Sequence, residues 1–390
     1  MDRDRAALRA RRVTERFIPA SFMRGGSSKA VVLLAKDLPD DPAERDRMLL
    51  AIMGSPDPYG RQLNGMGGGL SSVSKVVIIG PPTRPETDLD YTFAQVEVSK
   101  ASVDYGANCG NMSAAVGPFA VSAGLVPAVE GETLVRIHQA NTKKIIHARF
   151  PVRHGEPVTE GDFAIAGVAG TGARIRLDFL DPGGAVTAGL LPTGTIIDEI
   201  TVDGDGMFQM SLLDAGNAAA FLRAADLGLQ GTESPDEIEA VPGLMAKLDR
   251  LRRAAGVRMG LAARPEQVGP SNPRLVLVTA PTSFRDLSGD WVEAQAQDIG
   301  IRMLNMGRVH RAAALTTAMA VGVACRIDGT LAAEAYRPSG AEIRVGNPSG
   351  VLSVGAELRR DGGGWICDSA VIYRTARLLM RGEVAVPDPA

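Results

Sequence analysis

The chain has 390 residues, more than one ordinary core holds, and 45% apolar against 22% charged residues describes a globular protein. A net charge of −3 and an aromatic content of 4% provide neither the basic surplus nor the stacking rings that nucleic-acid binding needs. The three cysteines, Cys109, Cys325 and Cys367, are odd in number and show no Cys or His spacing of a zinc site, so neither a structural metal nor a disulfide framework is expected.

Residues 1–16 are rich in Arg, Asp and Glu without an apolar stretch. They read as a frayed extension or a short solvated helix rather than a secretory signal. No apolar run is long enough to span a bilayer, and the cysteine usage suits a reducing compartment, so a cytoplasmic location is expected. Strands are predicted from Phe17 to Phe22 and from Ala30 to Leu34. Between them lies the loop Met23-Arg24-Gly25-Gly26-Ser27-Ser28-Lys29. A helix is predicted from Pro42 to Met53, with Asp41 as N-cap and Gly54 as its stop. Ser74 to Ile79 and the alternating Tyr91 to Val98 read as strands. Ser113 to Ala123 reads as a helix of small residues closed by Gly124. Leu134 to Gln139, Lys144 to Pro151 and Arg174 to Leu180 read as strands.

In the second half, Phe208 to Leu213 and Arg274 to Thr279 are predicted strands. Pro235 to Ala255 is mainly helix with a break at Pro242-Gly243. Ala294 to Met303 fits strand or loop equally. His310 to Cys325 is predicted as one long apolar helix, Glu342 to Val345 as a strand, and Ser369 to Arg381 as a closing helix or a strand running into one. Both halves run strands into a glycine-flanked helix start, at Cys109 and after Met306. This rhythm predicts an α/β (α+β) protein of two similar lobes, each a mixed β-sheet around a central helix, with both helix N-termini aimed into an inter-lobe cleft. The first lobe is expected to take residues 1–190 and the second 191–368, with 369–390 returning to the first.

The chemistry concentrates in three segments. Arg24, Gly25, Gly26, Ser27 and Ser28 offer a guanidinium, two hydroxyls and close backbone approach, which suits a carboxylate. An ordinary glycine turn between strands would look the same. The run Asn64 to Lys75, with Gly67, Gly68 and Ser71, matches neither a Walker A nor a dinucleotide-binding loop, since a strand follows it. It ends in Lys75 at the mouth of an apolar strand. Burial turns such an amine into a base, although a lysine there can also snorkel to solvent. Asn108-Cys109-Gly110-Asn111 stands where a helix should begin, and the first turn of a helix favours an anion, thiolate or carboxylate. A small buried hydrophobe near a helix cap is the plainer reading of that cysteine. His310 and Ser349 are polar residues at a predicted helix start and in a turn, with plain structural readings equally open. A lysine on one side of a substrate carbon and a thiol on the other would suffice to move a proton.

Taken in order, Met23 to Lys29, Gly54-Ser55-Pro56-Asp57, Gly65-Met66-Gly67-Gly68, Ser72 to Lys75, Asn108 to Asn111, Asn141-Thr142-Lys143, Leu191-Pro192-Thr193-Gly194 and His310-Arg311-Ala312 give the chain a resemblance. From about Phe17 on it resembles the PrpF-type methylaconitate and methylitaconate isomerases, whose fold is similar to that of diaminopimelate epimerase. The resemblance implies proton transfer across an allylic system in a small di- or tricarboxylate, without metal or cofactor. It implies Lys75 and Cys109 as the acid/base pair. It also implies carboxylate binding by the Arg-Gly-Gly loop and the helix starts, a set comprising Arg24, Gly25, Gly26, Ser27, Ser28, Gly67, Gly68, Ser71, Asn108, Gly110, Asn111, His310 and Ser349. The chain departs from the family pattern at Asn347, where the late Pro-Ser-Gly turn usually carries His. The expected partner is the small carboxylate alone, with neither nucleic acid nor membrane, in a chain that could form a homodimer. Alternatives are an oxalomesaconate tautomerase of the same family, or a carboxylate-binding accessory protein to a dehydratase in which the two groups are idle.

Overall fold

The computed structural model describes residues 15–106 and 108–387. Its helices are α1 (Pro42–Met53), α2 (Gly110–Ser122), α3 (Pro235–Ala240), α4 (Leu244–Arg258), α5 (Leu315–Cys325) and α6 (Leu331–Ala335). α1 forms where local chemistry dictates. The Asp41 carboxylate accepts from the Glu44 N–H at 2.8 Å, Pro42 opens the first turn, and Gly54 closes it with a left-handed φ of 73°. α2 and α5 are different in kind. They are built of small apolar residues and buried on every side from Met112 to Val121 and from Thr317 to Cys325. A helix with no polar face must be wrapped, and a sheet wraps each one.

In the first lobe, Glu15–Gly25 and Ser28–Leu34 form a hairpin. Ser28–Leu34 is parallel to Lys75–Gly80, which is antiparallel to Leu89–Val96. Leu89–Val96 is parallel to Gly131–Gln139, and Lys144–Arg153 and Ile175–Leu180 follow antiparallel. The second lobe repeats this series strand for strand. The hairpin is Gly206–Asp214 with Ala218–Arg223; Ala218–Arg223 is parallel to Arg274–Thr279, and that strand antiparallel to Ile299–Asn305. Ile299–Asn305 is parallel to Ile343–Asn347, and Gly350–Asp361 and Gly364–Arg374 follow antiparallel. The ladder does not stop between lobes, because Gly364–Arg374 also pairs with Ile175–Leu180.

One apolar cluster holds both central helices and the inner faces of the strands around them. Two outer clusters pack the opposite faces, one against α1 and the other against α3 and α4. Steep apolar burial on both strand faces explains the near-continuous Val/Ile/Leu runs of Val76–Ile79 and Leu275–Val278.

The structure corrects several sequence expectations. Ser369 to Arg381 is not helical: the chain runs as two strands, Gly364–Arg374 and Ala376–Pro387, and the latter pairs with Glu15–Gly25. Its β-branched and aromatic content, Val371 to Tyr373, carries the strand preference. The helix expected from His310 begins only at Leu315, so His310 lies in the turn before it. α2 starts earlier than expected, at Gly110, which makes Cys109 its N-cap residue. Ala294 to Met303 resolves into a short 3-10 turn and the strand Ile299–Asn305. Glu15 and Arg16 already belong to the first strand, and the rest of the expected extension lies outside the described residues.

Candidate active site

The hairpin turn Gly26-Ser27 closes on the pair Gly25 and Ser28. Gly26 takes a φ of 53°, which needs no Cβ. Its N–H donates to the Thr375 carbonyl at 2.9 Å, and the Arg24 guanidinium donates to the carbonyls of Gly26 and Thr375 at 2.8 and 3.1 Å. Arg24 Nη1 and the Gly26 amide therefore hold the loop itself together. The glycines serve a different purpose. A Cβ on Gly25 would stand 2.6 Å from the Asn111 carbonyl oxygen, and one on Gly26 would overlap the Asn111 side chain. Small residues there seat the first turn of α2 against the loop. Asn111 then donates to Ser27 Oγ at 3.2 Å and accepts from Arg374 Nε at 3.0 Å. Ser27 is exposed and Ser28 buried.

Lys75 opens its strand beside Ala30, the residue that leads out of the hairpin. It is only 8% exposed, with Nζ 2.5 Å from Gln95 Oε1 and 4.9 Å from the centre of the Phe93 ring. Gln95 is fixed in turn by donating to the carbonyls of Ser71 and Ser74. Among the described residues no carboxylate pairs with this ammonium, so no ion pair has to break before it meets a substrate. The glycine-serine loop ahead of it is pinned by Gln62, which accepts from the Gly69 N–H and from Ser74 Oγ at 2.6 Å and donates to Ser55. Gly67 spends its N–H on the Met53 carbonyl, and a Cβ on it would overlap the Gln62 amide. Gly67 is thus small to admit Gln62, not to cradle an anion. Gly68 and Ser71 are exposed on the same loop.

Cys109 is partly buried at the N-cap of α2 and packs on the main core. Its carbonyl accepts from Ser113, whose hydroxyl also reaches the Asn108 carboxamide at 3.3 Å. Gly110 touches the other lobe: a Cβ on it would overlap Leu315 Cδ2, the first residue of α5. The two helix N-termini therefore meet, and Cys109 stands at their junction. The structure brings together the hairpin loop, Cys109, Gly110 and Asn111, and sets Lys75 at the same end of the first-lobe sheet. His310 and Ser349 form a separate group. His310 Nδ1 turns onto the Ala312 carbonyl, and Ser349 Oγ donates to the Arg311 carbonyl at 2.7 Å. Asn347 accepts from the Ala313 and Ser349 N–H groups, so this turn shapes the approach to α5.

Two side chains escaped sequence reasoning. Arg374 is 8% exposed, and burial pushes its guanidinium down to about 10 while the nearby Cys109 pulls it upward. Tyr91 is fully buried behind Cys109, and burial holds its phenol well above the ordinary value. An arginine interrupting the apolar run Ala370–Tyr373 was the available signal for the first; nothing in the sequence marks the second.

Residues 15–387 match the family described as PrpF protein. The chain belongs to that family. As a PrpF-family member it is 39% identical to the 2-methyl-aconitate isomerase of Shewanella oneidensis, covering 95% of this chain and 97% of that one. It is 40% identical to the 3-methylitaconate isomerase of Eubacterium barkeri, over 95% and 97% of the two chains. A relative from Novosphingobium, the (4E)-oxalomesaconate Delta-isomerase, is 39% identical over 94% and 97%. The crystal structure of a methylitaconate-delta-isomerase superposes with a TM-score of 0.91 at 39% identity, covering 96% of each chain. A hydroxyproline epimerase from Agrobacterium vitis, 15% identical, shares the fold with a TM-score of 0.51 over 96% of this chain and 94% of its own.

Proposed function

We propose that this PrpF-family protein is an isomerase that moves a double bond in a small unsaturated di- or tricarboxylate by allylic proton transfer, with Lys75 and Cys109 as the acid/base pair. The carrying observation is the position of Cys109 at the junction of two helix N-termini, on the same sheet end as a buried lysine held by a neutral amide. Donors at two helix N-termini offset the carboxylate charge that otherwise opposes carbanion formation. Lys75 removes a proton from the carbon activated by neighbouring carboxylates, and Cys109 supplies one at the far end of the allylic system. Ser27 and Asn111, hydrogen-bonded to one another beside the start of α2, serve as substrate-binding groups. The activities of the relatives, on 2-methylaconitate, 3-methylitaconate and oxalomesaconate, support this substrate class. We also take residues 1–190 and 191–368 as the two working halves; the second boundary falls within Gly364–Arg374, which pairs with both, and Ala376–Pro387 returns to the first.

Proton NMR in deuterium oxide with 2-methylaconitate and 3-methylitaconate tests this reading. An isomerase washes deuterium into the allylic positions as the double bond moves, and folded Lys75→Ala loses about 10²–10⁴ of that rate. Tight binding of these acids with no exchange would make the protein a carboxylate binder instead.

A further inference from the structure

The shared topology lays the two lobes residue on residue. Ala30 faces Lys75 across the parallel pair of the first lobe, and Ala219 faces Arg274 across the matching pair of the second. Cys109 caps α2 at the same sequence distance behind the short strand Val103–Asp104 as Ala314 caps α5 behind Arg308–Val309. The second-lobe counterpart of the amine and the thiol is thus an arginine and an alanine. No proton carrier stands there, only a fixed positive charge.

That charge is poorly accommodated by the protein alone. Arg274 Nη1 donates to Thr316 Oγ1 at 2.6 Å and Thr317 Oγ1 at 2.8 Å, both in the first turn of α5. Its Nε is enclosed without a hydrogen-bond partner, and no carboxylate pairs with the guanidinium among the described residues. Burial holds it below the ordinary arginine value, with no acid to pull it back. A half-desolvated guanidinium beside the positive end of a helix leaves positive charge uncompensated, which is costly unless an anion arrives. The place is also right. Leu315 adjoins the two threonines and packs on Gly110, next to Cys109. The uncompensated charge and Cys109 therefore belong to the two helix starts that meet where Leu315 packs on Gly110.

We propose that Arg274, oriented by Thr316 and Thr317, binds a carboxylate of the substrate from the second lobe, opposite Lys75 and Cys109. The choice of a polycarboxylate ligand rests on the isomerase reading; the uncompensated charge does not. One lobe moves the proton and the other holds the substrate against it.

Propane-1,2,3-tricarboxylate has no allylic proton to move and separates binding from chemistry. It is titrated calorimetrically into wild type, Arg274→Met, Arg274→Lys and Thr316→Val, with thermal melting of each ligand-free protein alongside. Loss of a charge-assisted contact weakens binding at least about tenfold in Arg274→Met, with Arg274→Lys and Thr316→Val intermediate. Equal affinity across the series, or failure of wild type to bind, overturns the proposal. So does a series in which only the melting points fall, since that is a structural arginine. Where Arg274→Met does not fold, unchanged affinity in both Arg274→Lys and Thr316→Val overturns it equally. The outcome is separable from the isomerase reading. Arginine-dependent binding without deuterium exchange sinks the isomerase alone, and exchange with arginine-independent binding sinks this inference alone.

Discussion

The starts of α2 and α5 are the same backbone device with different side chains. Each follows a two-residue strand, begins without a side-chain cap and carries small apolar residues into the core. The first begins with Cys109 and is served by Lys75; the second begins with Ala314 and is served by Arg274. The comparison teaches that a repeated fold need not repeat its chemistry. A two-thiol arrangement would treat both faces of a substrate alike, whereas here only the first helix start carries a thiol.

Four measurements break or sharpen that contrast. The largest effect is expected at Cys109. Cys109→Ala removes a proton carrier and lowers turnover by about 10²–10⁴, read by the same NMR assay, while Ala314→Ser, on the other side, stays within about tenfold of wild type. Equal losses at both positions would make the two helix starts equivalent after all. Next comes the contact between them. Gly110→Ala drives a methyl into Leu315, and overpacking of this kind costs about 1–3 kcal/mol. Denaturant unfolding should show that loss, and Leu315→Ala in the same chain should recover part of it. An additive double variant would mean the helix starts do not touch.

The third measurement concerns alkaline pH. Burial pushes the Cys367 thiol up to about 12, whereas a thiol in the unfolded chain ionises near about 8.5. Between these values the unfolded chain has lost the proton and the folded one has not. This contribution to stability is complete below about pH 8.5 and declines as pH rises toward 12. Cys367→Ala should therefore lose less stability than wild type between pH 9 and about 11, by about 1–3 kcal/mol. Parallel curves would show that Cys367 is not shielded. The smallest effect is a count. Iodoacetamide on the native protein should label Cys109 and spare Cys325 and Cys367, which are 5% and 3% exposed. Labelling of either buried thiol at a matching rate would remove the distinction.

The parts legible in the sequence were those written in local chemistry. Asp41, Pro42 and Gly54 framed α1, and continuous apolar runs marked the strands at Val76 and Leu275, which are buried on both faces. The matched family segments marked Lys75 and Cys109. What stayed hidden was long-range. That Gly25 and Gly26 are small for Asn111, and Gly67 for Gln62, follows from contacts between distant turns. Those glycines looked like anion cradles because close approach to a side chain and close approach to a ligand leave the same mark in sequence. Arg374 and Arg274 were missed for a related reason: each lies at a strand end whose partners, Asn111 for one and Thr316 and Thr317 for the other, come from distant parts of the chain. Ser369 to Arg381 was misread because Ala376 to Arg381 carries good helix formers, and pairing with Glu15–Gly25 overrides that preference.

That last pairing has a consequence for how the molecule comes into being. The strand at residues 15–25 has its outer neighbour at residues 376–387, about 350 residues further along the chain. On a ribosome the first lobe waits with one edge uncovered until residues 376–387 have been synthesised, so it cannot mature ahead of the second lobe. Such distant closure predicts slow folding from the unfolded state, and it makes the final dozen described residues as necessary to the nascent first lobe as its own opening strand.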